Sequence, residues 1–136
     1  MKDQQLILQS VQDAFHLDER VAAVYLFGSF VHGRMTAESD LDVAVLFRKD
    51  AVPAPLDLVE VGSRLSALVG LEVDVVCLNN AGPIVAMQVL RKGIKIVDRN
   101  SRENMEFFVR TIERYDDIKM VRRPIERSIL NGRIYG

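Results

Sequence analysis

Residues 26–47 have the sequence LFGSFVHGRMTAESDLDVAVLF, in which two apolar runs enclose a polar segment with two glycines. The apolar runs are short and rich in β-formers, which is typical of buried strands. In a strand, residues i and i+2 face the same side. The pattern therefore predicts that Asp40 and Asp42 project together at the start of the second strand, while Leu41 between them turns into the core.

Two carboxylates a few ångströms apart repel each other, and a divalent cation between them removes that cost. Magnesium is commonly held by one or two carboxylates together with substrate phosphates. A third acid, Asp74, lies in the apolar stretch LEVDVVCL at residues 71–78. If that stretch forms a strand beside residues 40–47, all three acids converge, which suits a metal pair for phosphoryl or nucleotidyl transfer.

The segment before the acids has features that favour phosphate binding. Gly28 directly follows a predicted strand and Gly33 closes the turn, so the backbone can approach a phosphate closely. The side chains that can add a donor or positive charge are Ser29, His32 or Arg34, and Ser39. A Gly-Ser pair after a strand is usually only a turn, and a DLD sequence is usually solvated. Their combination with a later acidic strand indicates a site.

Composition limits the remaining possibilities. The chain has 136 residues and a net charge of −1, with 49% apolar and 27% charged residues, as expected of one globular domain. Because the chain has no excess of basic residues, direct nucleic-acid binding is not expected. The single cysteine, Cys77, is expected to be a buried small hydrophobe. No apolar run has the length of a signal peptide or a membrane span, so we expect a cytoplasmic protein without membrane contact.

Periodicity predicts alternating helices and strands. The expected elements are helices over 3–16 and 56–69, a helix between Pro83 and Gly93, strands over 20–27, 40–47, 71–78 and 94–98, and a long C-terminal helix after Asn100 that breaks at Pro124. The expected apolar faces are Leu6, Ile7, Ser10, Val11 and Ala14 in the first helix; Leu56, Val59, Leu65, Leu68 and Val69 in the second; and Met105, Phe108, Ile112, Tyr115 and Ile118 or Lys119 in the last.

The C-terminal part differs in character from the rest. We expect residues 1–98 to form the core and residues 99–136 to add a helix and tail to the same domain. From residue 125 onward the tail has apolar residues with little visible to bury them. Two interpretations are open, a frayed terminus and an arm that docks a partner.

The sequence GSFVHGRMTAESDLD resembles the signature of the DNA polymerase β-like nucleotidyltransferase superfamily. The short chain is similar to the minimal nucleotidyltransferase (MNT) group within it. The resemblance covers residues 21–97 and extends into the helix containing FFVRTIERYDD. It implies an α/β fold of the α+β type, in which helices flank a mixed β-sheet and a long helix ends the chain.

The resemblance also implies roles for individual residues. The family's triphosphate-binding pair corresponds to Gly28 and Ser29, and the other nucleotide-binding positions would be Gly33, Arg34 and Ser39. The ligands of two Mg²⁺ ions would be Asp40, Asp42 and Asp74, of which Asp74 would also activate the attacking hydroxyl. Many minimal members have Ala-Arg-Gly where this chain has Val31-His32-Gly33, and Arg34 is the residue that could replace the missing arginine.

The chain further resembles the antitoxins of HEPN/MNT toxin–antitoxin pairs. That resemblance implies transfer of AMP from ATP to a tyrosine of a HEPN-family ribonuclease toxin, which is thereby silenced. The short chain without an acceptor domain, the low net charge and the apolar tail all fit a protein acceptor. Two alternatives remain open, an antibiotic-type nucleotidyltransferase with a small-molecule acceptor and an antitoxin that acts by binding alone. A neighbouring gene with an Arg-x-x-x-x-His motif would favour the toxin–antitoxin reading.

Overall fold

A computed structural model of the chain describes the backbone of residues 4–28 and 40–135, and the side chains of residues 4–28 and 40–119. The elements are α1 (Gln4–His16), β1 (Val21–Phe27), β2 (Leu41–Phe47), α2 (Pro55–Val69), β3 (Val73–Cys77), α3 (Pro83–Lys92), β4 (Ile94–Asp98) and α4 (Ser101–Tyr135). The predicted α+β fold with a long C-terminal helix is confirmed.

The four strands form one mixed sheet in the order β3-β2-β1-β4. The central strand β1 pairs with β2 and with β4 in antiparallel fashion, whereas β2 and β3 run parallel. The expectation that the strand containing Asp74 lies beside the strand containing Asp42 is therefore confirmed. Because β3 is at the end of this order, one of its sides has no neighbouring strand among residues 4–28 and 40–135.

The two faces of the sheet are covered differently. One face packs its aliphatic side chains against α1 and α2, and the strand residues in this cluster include Val24, Leu26, Val43, Val45 and Phe47. The other face is covered by α3 and α4 and uses smaller residues together with one tyrosine, namely Ala23, Tyr25, Ala44 and Leu46. Since side chains alternate along β2, Asp42 shares the second face with Ala44 and Leu46.

The predicted apolar faces of the helices are only partly correct. In α1 the buried residues are Ile7, Val11 and Phe15, whereas Leu6 is 64% exposed. In α2, Leu65 and Val69 are buried as expected. The prediction was wrong for Leu56, Val59 and Leu68, which are exposed.

The buried positions in α2 have a steric cause. A Cβ atom at Gly62 would lie 3.3 Å from the carbonyl oxygen of Val73, so the helix lies close to β3 at its glycine. A close contact is therefore made by a residue that a hydrophobic periodicity does not count.

The prediction for the face of α4 was wrong for Met105 and Phe108, which are exposed. Ile112, Tyr115, Ile118 and Lys119 are partly buried, and the fully buried residues within 101–119 are Asn104, Phe107 and Thr111. Asn104 donates a hydrogen bond from its side chain to the Asp98 carboxylate at the end of β4. Polar residues therefore occupy two of these three buried positions, so a search for hydrophobic periodicity does not find this face.

The predicted break at Pro124 is wrong as well, because α4 continues to Tyr135. A proline inside a helix removes one backbone donor and costs about 3 kcal/mol, but it does not end every helix. Arginine and glutamate, good helix formers, lie within three residues on its two sides. The helix therefore continues through Pro124 despite this cost.

Cys77 is free and buried, as predicted. Within residues 4–28 and 40–135, none of the helices combines the length and apolar character needed to cross a membrane.

Candidate active site

The glycine that follows β1 lies directly against the acid on the neighbouring strand. Phe27 pairs with Asp42 in the antiparallel register, so Gly28 follows beside that acid. Gly28 has φ of +80°, a left-handed conformation that residues with a Cβ rarely adopt. A Cβ atom at this position would overlap with the Asp42 carboxylate. The glycine is therefore needed both for the backbone turn and for the position of the acid.

Asp42 and Asp74 lie side by side, because they are paired residues of the parallel strands β2 and β3. Neighbouring strands are about 4.8 Å apart, so both carboxylates start from adjacent points on the same sheet face. Leu41 is completely buried on the opposite face, as predicted from the alternation. Asp40 directly precedes β2 and is exposed, as is Asp74, whereas Asp42 is half-buried.

The electrostatics of this cluster are unfavourable to a bare carboxylate. Burial raises the pKa of Asp42 above its ordinary value of 3.8, and the negative charges of Asp74 and Asp40 raise it further. All three causes disfavour the ionised form of Asp42. A bound cation would offset the repulsion between the three acids.

The donor set suits a hard cation such as Mg²⁺, because carboxylate oxygens are its preferred protein ligands. As the side chains lie, no three potential ligands within residues 4–28 and 40–135 are close enough to surround one ion. Asp40 and Asp74 are exposed, so rotation of their side chains can bring them toward Asp42. The residues therefore fit a metal that closes the ligand set as it binds.

The other predicted nucleotide-binding residues lie outside the described part of the chain. These are Ser29, Gly33, Arg34 and Ser39, together with His32, all within residues 29–39. Their assignment to the phosphates stays a prediction. Of the predicted site, the structure places Gly28 and Asp74 directly beside Asp42, and Asp40 close enough for its charge to act on Asp42.

One feature beside the acids was missed by the sequence reading. A groove of about 630 Å³ lies between α2 and the open side of β3, and its walls include Glu72 and Asp74. No sequence signal could have revealed it, because the groove exists only if β3 is an edge strand with α2 packed along it. The groove leads directly to one of the three acids.

Comparison with known proteins agrees with this geometry. A family model described as "Polymerase beta, Nucleotidyltransferase" matches residues 9–102. The protein adenylyltransferase MntA of Shewanella oneidensis is 28% identical over 114 residues, which cover 82% of this chain and 78% of the relative.

Two solved structures have the same fold at lower identity. A toxin–antitoxin structure with AMP-PNP has a TM-score of 0.75 at 24% identity, covering 95% of this chain and 99% of the other. A tri-AMPylated Shewanella oneidensis HEPN toxin in complex with an MNT antitoxin gives a TM-score of 0.75 at 23% identity, with coverages of 94% and 99%. Because the family model matches well over half of the sequence, the chain belongs to the polymerase beta nucleotidyltransferase family.

Proposed function

We propose that this protein is a Mg²⁺-dependent antitoxin that transfers AMP from ATP to a tyrosine of a cognate HEPN ribonuclease toxin. The observation that carries the proposal is the pairing of Asp42 with Asp74 directly beside Gly28, which has the geometry of a metal-dependent nucleotidyl-transfer site. The name of the MntA relative, a protein adenylyltransferase, and the toxin complexes of similar fold support a protein acceptor. A cytoplasmic location follows from a substrate of this kind.

The reaction is an in-line substitution at the α-phosphorus of ATP. The tyrosine oxygen forms a bond to that phosphorus, the bond to the bridging oxygen of the β-phosphate breaks, and pyrophosphate leaves. Asp74 accepts the hydroxyl proton, and Asp40, Asp42 and Asp74 would hold the Mg²⁺ ions. Two Mg²⁺ ions, when bound, supply positive charge to the triphosphate and the attacking oxygen.

The turn after β1 holds the nucleotide in this proposal. The lack of a side chain at Gly28 leaves room for a phosphate next to Asp42, since any Cβ would occupy that space. We assign the hydroxyls of Ser29 and Ser39 and the Arg34 guanidinium as donors to the phosphates, with Gly33 as a further nucleotide-binding position. Each such charge-assisted hydrogen bond contributes about 1.5–3 kcal/mol.

The C-terminal helix provides a surface for the partner protein. Residues 99–136 extend the core formed by residues 1–98, and α4 carries three exposed apolar side chains on one side. These are Met105, Phe108 and Val109, with exposures of 62%, 46% and 45%. An apolar stripe of this kind favours a protein partner over solvent. The backbone of residues 122–135 continues α4 beyond these side chains, and the docking arm of the proposal is residues 122–136.

The proposal is tested by incubating the chain with Mg²⁺, labelled ATP and the product of the neighbouring reading frame. Label at the α-phosphate should appear on the partner, and label at the γ-phosphate should not. Phosphoryl transfer would give the opposite pattern. If the partner is neutralised without receiving label, the protein is a binding antitoxin and the proposal fails. Label on a small antibiotic instead of the partner would also refute it.

The arm is tested separately by deleting residues 122–136. The truncated chain should keep its melting temperature and its affinity for ATP, and a pull-down should retain less partner. A sharp fall in the melting temperature would show that the arm belongs to the core.

A further inference from the structure

The open side of β3 is a second feature of the site. Within the part of the chain that the structure describes, the sheet order β3-β2-β1-β4 leaves β3 without a neighbouring strand on one side, and its five residues, Val73–Cys77, match an ordinary strand length. An unpaired strand edge is a template for another strand, and many proteins cover it. Here the groove between α2 and β3 leaves room beside it.

The hydrogen bonds of β3 show which of its peptide groups point into this groove. Leu41 donates to the Glu72 carbonyl at 2.8 Å, and Leu78 donates to the Val45 carbonyl at 2.8 Å. Backbone groups alternate sides along a strand, so residues 72, 74, 76 and 78 bond with β2 and residues 73, 75 and 77 turn the other way. The N–H and C=O of Val75 therefore face the groove.

The ends of this edge are closed by the chain itself. The Val73 N–H donates to the Ser66 hydroxyl at 2.9 Å, and the Cys77 carbonyl accepts from the Asn80 N–H at 3.2 Å. The part left for an incoming strand is centred on Val75, one residue beyond Asp74. A strand added there would pass next to the acid that pairs with Asp42.

The chemistry of the groove indicates which kind of segment fits. Its α2 wall contains Leu58 and Val59 beside the small residues Gly62 and Ser63, so it offers apolar contact without bulk. Among the described residues that line it, the charged ones are Glu72 and Asp74, and both are acidic. An apolar wall, an open strand edge and acidic charge together fit an extended peptide segment with basic residues.

We propose that the partner's tyrosine-containing segment, extended and basic, adds as a strand to β3 and thereby brings the tyrosine hydroxyl to Asp74. This inference rests on the proposed transfer of AMP to a protein tyrosine. Main-chain hydrogen bonds to Val75 fix the register of the segment, and the alternation of side chains turns every second one toward the α2 wall. The groove thus selects the acceptor, while Gly28 and the acids act on the nucleotide.

The first test compares two arginine substitutions on the same helix. Val59 is 64% exposed and lines the groove, whereas Leu56 is 78% exposed and does not line it. Val59→Arg should raise the KM for the partner about 10-fold or more by repelling a basic segment, with an unchanged Kd for ATP. Leu56→Arg, the matched control, should leave both values unchanged. Equal effects of the two substitutions would overturn the proposal.

The second test asks whether a strand is added. Amide hydrogen exchange at Val75 should slow when the partner binds, because its N–H gains a main-chain acceptor. Unchanged exchange there, with the partner bound, would contradict strand addition. If the chain alone dimerises through this edge, and Val59→Arg abolishes the dimer without affecting transfer, a second copy occupies the groove and the inference is wrong.

The two proposals fail in distinguishable ways. If the wild-type chain transfers no label but Val59→Arg still weakens partner binding in calorimetry, the transfer activity fails and the docking surface stands. If transfer occurs and Val59→Arg behaves like Leu56→Arg, only the docking surface fails.

Discussion

The two ends of β1 each have an aspartate beside them, and the two carboxylates are in opposite situations. Before the strand, Asp18 accepts hydrogen bonds from the Arg20 backbone N–H at 3.0 Å and from its guanidinium at 2.8 and 3.0 Å. These bonds and the positive charge lower the pKa of Asp18. After the strand, Asp42 faces Asp74 and Asp40, and burial and their negative charges raise its pKa.

The difference separates a structural carboxylate from one that needs a ligand. Asp18 has its counter-charge two residues away, and the loop that it stabilises leads into the sheet. Asp42 is held among like charges, which costs stability unless something positive joins them. An arrangement of this kind is typical of functional sites. A substitution at Asp18 should therefore lower stability and leave activity unchanged, whereas one at Asp42 should lower activity without lowering stability.

The largest effect is expected from Asp42→Asn. Loss of one ligand carboxylate should lower the rate of AMP transfer about 100- to 1000-fold, a typical consequence of removing one electrostatic contact with the transition state. Stability should stay the same or rise, because one of three crowded charges is removed. Labelled-ATP transfer and thermal unfolding measure both. Wild-type transfer at matched Mg²⁺ would remove Asp42 from the site.

Gly28→Ala should have the next largest effect. The added Cβ must displace the Asp42 carboxylate, and misplacement by about 1 Å reduces catalysis by about 10- to 100-fold. Backbone strain at positive φ should cost about 1 kcal/mol in addition. Gly70→Ala is a matched control, because Gly70 has φ of +75° at the C-terminus of α2 and lies outside the acid cluster. The control should lose similar stability and keep its transfer rate; equal rates for both variants would exclude the steric role.

The positions of the acids could be predicted from the sequence to a considerable extent. Alternation along β2 placed Asp42 and Leu41 on opposite faces of the sheet, and the apolar run around Asp74 identified its strand. The parallel pairing could only be stated as a condition, because it depends on how the chain crosses between strands. The contact of Gly28 with Asp42 depends on the pairing of Phe27 with Asp42, which no local pattern specifies.

The helix faces were less predictable for a different physical reason. In α4 the inward side uses Asn104 and Thr111. Asn104 is hydrogen-bonded to Asp98, and a polar residue with a partner can be buried as well as an apolar one. The outward side has Met105 and Phe108, which a periodicity analysis assigns to the core. Hydrophobic spacing finds a helix reliably, but an exposed apolar stripe has the same spacing as a core.

Addition of Mg²⁺ should stabilise the wild-type chain through the acid cluster. At ten times its Kd, an ion that binds only the folded state contributes about 1.4 kcal/mol. Asp42→Asn should respond much less, since it lacks the central carboxylate. Thermal unfolding with and without a chelator gives both values. Identical shifts in the two proteins would mean that the ion binds elsewhere.

The smallest effect is expected at the other end of β1. Asp18→Asn removes the ion pair with Arg20, whose side chain is 37% exposed, so solvent screening limits the loss to about 1 kcal/mol at pH 7. The folded-state pKa of Asp18 lies below its ordinary value of 3.8, so this stability is present above pH 3.8 and disappears as the pH falls through the folded-state pKa. The difference in unfolding free energy between wild type and Asp18→Asn should therefore be constant down to about pH 4 and shrink below it. Urea denaturation at pH 7 and pH 3 measures it, and AMP transfer at pH 7 should not change. A loss of transfer comparable to that of Asp42→Asn would show that the two ends of the strand are not functionally separate.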